Sequence, residues 1–364
     1  MTLHIFNPEH DIALAADELH FTAPHAAREL RTDLGFLPTL WADDGDLILV
    51  EKVSAAVNSV RHLKCHTADV LFVTPADLSV VSFSDITIDP WGWNRVLKAQ
   101  LRTINPELER LTPSDEQLTQ MRRLSNRRWA SEQLLPQLVG IDNRLIGTSE
   151  YITDIQTVEM RARQLRRSVF KAPWSSSGRG LRYVDAPTDE LEPHLKGWAM
   201  NTLKRQGGLM IEPFYNKIRD FGMEFNCAAG TITYQGLSLF KTTNGSYIGS
   251  IIATESEKQH FLSQHISISL LDTIREAIIH LLTDHLAPIY NGPLGIDMMI
   301  VADSRKCKLH PCVELNLRRT MGHVALSIPH DEACPQRLMT ISYTDKYHLR
   351  ITETAENIVR GTLL

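Results

Sequence analysis

GPLGIDMMIV (Gly292–Val301) and CKLHPCVELNLRRTMG (Cys307–Gly322) are the two stretches on which the reading of this chain turns. Side chains alternate along a strand, so Asp297, Met299 and Val301 share one face of the first, and Glu314 and Asn316 share one face of the second. A hairpin turn centred between Arg305 and Lys306 sets Asp297 opposite Glu314. Two carboxylates and an amide oxygen then converge on one sheet face, where they repel each other and are costly to bury without a cation. Hard oxygen donors, few in number and leaving positions for water and phosphate oxygens, suit Mg²⁺. The polar outer face of an edge strand would read the same way, and Pro311 marks an edge or a bulge.

A second segment points to phosphate. SVFKAPWSSSGRGL (Ser168–Leu181) sets Lys171 at a strand end, followed by Ser175, Ser176, Ser177, Gly178 and Gly180, whose backbone N–H groups can turn inward. It is neither a Walker A loop nor a Rossmann fingerprint, because no Gly-Lys-Ser/Thr follows and a strand rather than a helix comes next. A hairpin with a flexible tip would also fit these letters.

Together these residues resemble the ATP-grasp superfamily of ATP-dependent ligases over roughly residues 114 to 325. The matching features are Lys171 with its glycine-rich loop, LMIEPF (Leu209–Phe214), Asp297, and Glu314-Leu315-Asn316-Leu317-Arg318. The resemblance implies that Lys171 and the loop hold the ATP phosphates, and that Glu212 with the backbone of Pro213 and Phe214 meets adenine. It implies that Asp220, in competition with Glu224, binds the ribose. Asp297, Glu314 and Asn316 would bind one or two Mg²⁺ ions, or Mn²⁺ in their place, and Arg318 would steady the transferred phosphoryl group. Relatives carry a further lysine early in this region, where LSNRRWASEQLL offers Arg127 or Arg128; of the two, Arg128 is assigned to the nucleotide. Leu317 stands where proline is frequent.

Composition sets the outer bounds. The chain has 364 residues, 43% of them hydrophobic and 22% charged, with a formal net charge of -5, and this is the make-up of a globular protein of two or three units. The five cysteines are scattered and odd in number, which fits free thiols in a reducing compartment, and a cytoplasmic address follows. No apolar run spans a bilayer, and Glu9, His10 and Asp11 interrupt any signal core. Basic residues never run beyond a pair, so nucleic acid is not an expected partner.

The first hundred residues alternate short strands with helical patterns, including a helix between Pro24 and Gly35, and read as a βαβ layer. Pro90, Trp91 and Trp93 open another helical stretch. Ser114-Asp115-Glu116-Gln117 is a capping box after a proline-marked seam. Asn7, His10 and Asp11 follow the first strand and either face an acceptor or, as the commoner use of such residues, cap a loop. Thr242–Gly249 reads as a mobile loop or an ordinary hairpin connection. His323 either lines the cleft or sits satisfied at the surface.

The expected architecture is mixed α/β and α+β: an ATP-grasp fold with an amino-terminal Rossmann-like βαβ domain (1–113), a small grasp subdomain (114–207) and a large one carrying the metal site (208–364). The expected activity is an ATP-dependent ligase that activates a small-molecule carboxylate as an acyl phosphate for attack by an amine, with amino acids or peptides among the substrates. A non-catalytic ATP sensor and a kinase-like phosphotransferase are the alternatives. The oligomeric state stays open, a homodimer included.

Overall fold

Short apolar runs bounded by turn residues gather into three sheets in the computed structural model of the chain, which describes residues 1–63, 65–80, 85–175, 178–185, 190–243, 246–303, 306–330 and 336–353. The first sheet is parallel, with β1 (Thr2–Ile5), β2 (Leu47–Leu49), β3 (Leu71–Val73) and β4 (Thr87–Pro90) in the order β3-β2-β1-β4. The helix His25–Leu34 starts after Pro24 and stops at Gly35, as its punctuation indicates. Pro90 instead ends β4, and the next helix begins only at Arg95, where the Asn94 side chain accepts from the Leu97 N–H. A proline fixes its own φ but does not by itself start a helix, and here the Trp91 N–H is still held by the Ile5 carbonyl of β1.

The capping box closes as read: Ser114 and Gln117 each bond the other's backbone N–H at the start of the helix Asp115–Leu124. The second sheet is antiparallel, with β5 (Glu150–Ile152), β6 (Arg167–Lys171), β7 (Leu181–Asp185) and β8 (Leu209–Pro213) in the order β5-β8-β6-β7. Helices Ile155–Leu165 and Pro193–Gln206 cover one face, where Val158, Ala162, Phe170, Ala199 and Ile211 form a core. Strand alternation therefore sends Lys171, Met210 and Glu212 to the other face.

The third sheet has seven antiparallel strands: β9 (Lys217–Ala228), β10 (Thr231–Thr243), β11 (Ser246–Ile252), β12 (Gly292–Asp303), β13 (Lys306–Asn316), β14 (Arg337–Tyr343) and β15 (Tyr347–Glu353), in the order β13-β12-β9-β10-β11-β14-β15. Leu271, Ile274, Ile278 and Leu282 of the helix Ile268–Leu286 join Phe221, Met223, Phe225, Leu294, Ile296 and Met298 in the largest core. The opposite face of β9 and β12 is left to Asp220, Gly222, Glu224, Gly295 and Asp297.

The β12–β13 hairpin closes with Asp303 opposite Lys306, one residue earlier than the sequence suggests. Asp297 nevertheless meets Glu314, because between that pair and Met299–His310 a single residue of β12, Met298, faces three of β13, Pro311, Cys312 and Val313. The slip of two residues conserves the face. β13 is an edge strand, and Leu309 on it bonds the Arg144 carbonyl and the Ile146 amide of a covering segment.

Thr242–Gly249 belongs to a hairpin, with Thr243 opposite Ser246; Asn244 and Gly245 lie outside the described residues. β14 and β15 are strands that sequence reasoning missed. Their inner face, including Met339, Ile341 and Leu349, packs with Phe6, Leu34, Leu37 and Trp91 of the amino-terminal unit. The Tyr347 amide donates to Asp33 at 2.9 Å. Among the described residues no helix is long and apolar enough to cross a membrane.

His10 is 2% exposed, and Asn94 Nδ2 stands 3.1 Å from its Nδ1. Burial pushes this imidazole down from 6.5 to about 4, against the opposing pull of Asp11. The unfolded chain takes up this proton below about pH 6.5 and the folded chain only below about pH 4. The associated stability is therefore complete above pH 6.5 and is lost as the pH falls towards 4. Urea titrations at pH 7 and pH 4.5 should show the wild type losing about 2 kcal/mol more than His10→Gln; equal losses would contradict this.

Candidate active site

The shared face of β12, β13 and β9 opens on a cleft of about 540 Å³, lined by Asp297, Glu314, Asn316, Arg318 and Glu224. Pairing sets Asp297 between Glu314 on one side and Gly222 on the other. Burial raises the Asp297 carboxyl well above the usual carboxylate range, and Glu314, Glu224 and Asp220 push it further, with Arg318 opposing them. A Cβ at Gly295 would fall 2.5 Å from Glu224 Oε2, so the absence of a side chain there leaves room for the Glu224 carboxylate.

Arg127 reaches this face from the segment before the small sheet. Its guanidinium donates to Ala172 O at 2.6 Å, to Ser175 Oγ at 2.8 Å and O at 3.2 Å, and to Glu314 Oε1 at 2.6 Å. Arg128, the residue assigned to the nucleotide from sequence, turns away: it bonds Glu132 and lies over the Tyr151 ring, 4.6 Å from its centroid. Neighbouring helical residues point about 100° apart, so only one of the two can face the cleft. In the loop, Gly178 has φ +70°, and a Cβ at Gly180 would strike the Ser175 side chain. Gly178 and Arg179 line the cleft; Ser176 and Ser177 lie outside the described residues.

Lys171 is buried on β6 and pairs with Glu212 on β8 at 2.6 Å. The Phe214 N–H is taken by Arg167 O at 3.0 Å, and the Arg167 guanidinium stacks on the Phe214 ring. Proline has no N–H and that of Phe214 is already used, so a base meeting this backbone would be met by its carbonyls. His310 on β13, which sequence reasoning did not single out, has both ring nitrogens buried without a hydrogen-bond partner among the described residues. Burial and, after it, Lys171 drive its pKa down to about 4 against the pull of Glu212. Lys171 and Glu212 of the small sheet therefore face His310 of the large one.

Asp220 and Glu224, the two candidates for ribose, differ in their neighbours. Thr242 donates to Asp220 at 2.6 Å and Lys217 pairs with it at 2.5 Å. Glu224 is 2% exposed: Ser238 donates to Oε1 at 2.7 Å, and Thr320 donates to Oε2 at 2.9 Å, with His323 Nδ1 3.0 Å from that oxygen. His323 is thus buried, its Nε2 3.1 Å from the Phe225 carbonyl.

Arg318 donates to Asp11 Oδ2 at 2.9 Å. Burial works against its charge, yet Asp11, Glu314 and Asp297 together raise its pKa. Asp11 therefore orients this arginine, while Asn7 fastens its own loop by bonding Gly92 N–H and O. Arg319 bonds Asp89 at 2.8 Å and stacks on Trp41, tying the large sheet to the first unit.

Among the described residues no group of three or more His, Cys, Asp or Glu could hold a metal by itself. The donors are two carboxylates and an amide, and the crowding that raises the Asp297 pKa is what a divalent cation relieves. Asp297, Glu314 and Asn316 fit Mg²⁺ or Mn²⁺, with its remaining positions filled from elsewhere.

No protein-family model and no curated protein matches the sequence. Solved structures do. The chain is similar to the biotin carboxylase domain of Hydrogenobacter thermophilus 2-oxoglutarate carboxylase, solved as a dimer with MgADP, ADP and bicarbonate, at 12% identity and a TM-score of 0.53, covering 93% of this chain and 74% of that one. It is similar to Campylobacter jejuni biotin carboxylase in its β,γ-ATP complex, at 13% identity and a TM-score of 0.52, covering 93% and 75%. Staphylococcus aureus N5-carboxyaminoimidazole synthetase complexed with ADP aligns at 11% identity and a TM-score of 0.49, covering 94% and 82%. With a parallel amino-terminal sheet and two antiparallel ones, the chain shares the fold of these two biotin carboxylases, which agrees with the ATP-grasp fold expected from its motifs.

Proposed function

We propose that the protein is an ATP-dependent ligase that converts a carboxylate to an acyl phosphate for attack by an amine or similar nucleophile. The observation that carries this reading is the gathering of Asp297, Glu314, Asn316 and Arg318 on one cleft, with Arg127 beside them. A protein that only senses ATP has little use for an arginine held beside metal donors.

In this reading the triphosphate lies between the two sheets. Lys171 and Arg127 bind its oxygens, Arg127 exchanging part of its bond to Glu314 for phosphate. Glu212 and the free nitrogens of His310 border the base, and Asp220 takes the ribose. Asp297, Glu314 and Asn316 would hold Mg²⁺, which supplies positive charge to offset that of the phosphates. A carboxylate oxygen of the substrate attacks the γ-phosphorus, the bond to the β–γ bridging oxygen breaks, and ADP leaves with the electron pair. The amine attacks the acyl carbon, the carbon–oxygen bond to phosphate breaks, and inorganic phosphate leaves as the amine gives up its proton to solvent. Arg318, its plane fixed by Asp11, donates to oxygens that gain charge in both steps. The protein chiefly positions and neutralises.

The test is incubation with Mg-ATP and pools of amino acids, peptides and small carboxylates, scoring ADP and new amide mass. ADP release that requires the amine separates a ligase from a kinase, and failure to bind nucleotide at millimolar Mg-ATP removes the reading. Glu314→Gln should lower turnover by about a hundredfold or more and raise the Mg²⁺ needed, with an unchanged circular dichroism spectrum; wild-type turnover would reject its role. Arg318→Lys should lower kcat by about 10²-fold with little change in the KM for ATP, because an ammonium cannot reproduce the planar pair of donors. An equal loss confined to KM would place Arg318 in ground-state binding instead.

A further inference from the structure

The cleft extends well beyond the metal donors along one continuous sheet face. Asp297 on β12 shares its face with Gly222 and Glu224 on β9; Ser238 and Phe240 on β10 follow, then Tyr247 on β11, then Ile341 and Tyr343 on β14. Chemistry is therefore confined to one edge of the sheet, and the other edge is aromatic. At about 4.8 Å per strand, Phe240 and Tyr247 lie roughly 10 and 14 Å from the line of β12.

The opposing wall has the same character. Phe6 and Trp91 of the amino-terminal unit line the cleft, with ring centroids 5.1 Å apart, edge to face. At the rim, Tyr343 and Tyr347 form a second edge-to-face pair at 4.9 Å. Tyr343 is 55% exposed, a large ring left partly uncovered where it borders the cavity. Each such pair leaves a face or an edge against which another flat ring can pack, with a gain beyond burial alone. Arg318, fixed by Asp11, supplies the cation for the charged end of a ligand.

Resting on the ligase reading, we infer that the acceptor is an elongated carboxylate ending in an aromatic or comparably flat apolar group several bonds from the carboxyl carbon. Its carboxylate sits beside Arg318, and its ring lies between Phe6 and Trp91 on one wall and Phe240, Tyr247 and Tyr343 on the other. The β14–β15 hairpin, which takes no part in the chemistry, is a specificity element: it closes the far wall, and its anchoring through Tyr347 and Asp33 fixes where that wall stands.

Calorimetric titration of the full chain, first with MgADP and then with 8-phenyloctanoate, whose chain is long enough to span from Arg318 to the aromatic wall, or with butyrate, tests this directly. The aryl acid should bind at least tenfold more tightly than butyrate. Tyr343→Ala should shrink that ratio to about threefold or less, and Tyr343→Phe should preserve it; Tyr343 is exposed enough that neither change endangers the fold. With MgADP bound, equal affinities, failure of both acids to bind, or a ratio untouched by Tyr343→Ala would each overturn the inference and leave the ligase reading intact. Failure to bind MgADP would instead overturn the ligase reading, and this inference with it.

Discussion

Like charge collected on the wall of one cleft is the constraint around which this molecule is arranged. Asp297 is half-buried beside Glu314, with Glu224 and Asp220 near enough to raise its pKa as well. Apolar packing cannot compensate such a group; only cations can. The chain provides two permanent ones, Arg127 against Glu314 and Arg318 beside both carboxylates, and each is anchored outside the large sheet. Arg127 also bonds the carbonyls of Ala172 and Ser175, so the glycine-rich loop and the acidic face are joined through one guanidinium. The remaining negative charge is what a divalent ion and its phosphate ligands would complete.

This arrangement explains why three structural units are needed for one site. The large sheet alone can present oxygen donors, but its arginine is oriented by Asp11 and its following residue is tied down by Asp89, both from the amino-terminal layer. The small sheet and its loop contribute Gly178, Arg179 and Leu181 to the cleft wall. The last two strands return to the first unit and bury Met339 and Ile341 against Phe6 and Trp91. They thereby fix the separation between the two walls of the cleft.

Much of this is legible in the sequence. Alternation and the short hairpin placed Asp297 opposite Glu314, although the true turn lies one residue earlier and a bulge at Pro311–Val313 restores the register. A two-residue slip is invisible to a face argument, since parity is unchanged. Other features could not be read. Arg127 and Arg128 are adjacent and chemically identical, and only helix phase separates them. Asp11 looked like a loop cap because its partner, Arg318, is 307 residues away. The β14–β15 hairpin did carry a signal, the alternation of Met339, Ile341 and Tyr343 and of Tyr347, Leu349 and Ile351, but it lies past the motifs that draw attention. His310 shows no sequence signal, as its interest comes from nitrogens left without partners after folding.

The central claim is that three oxygen donors hold a divalent ion against the nucleotide. Anomalous diffraction from crystals grown with Mn²⁺ and a non-hydrolysable ATP analogue measures this most directly. The account predicts a Mn²⁺ peak at roughly 2.0–2.3 Å from oxygens of Asp297, Glu314 and Asn316, with the triphosphate on its open side and Lys171 on the far side of the phosphates. A nucleotide bound elsewhere, or a metal bound by phosphate alone with those three side chains turned away, would contradict it.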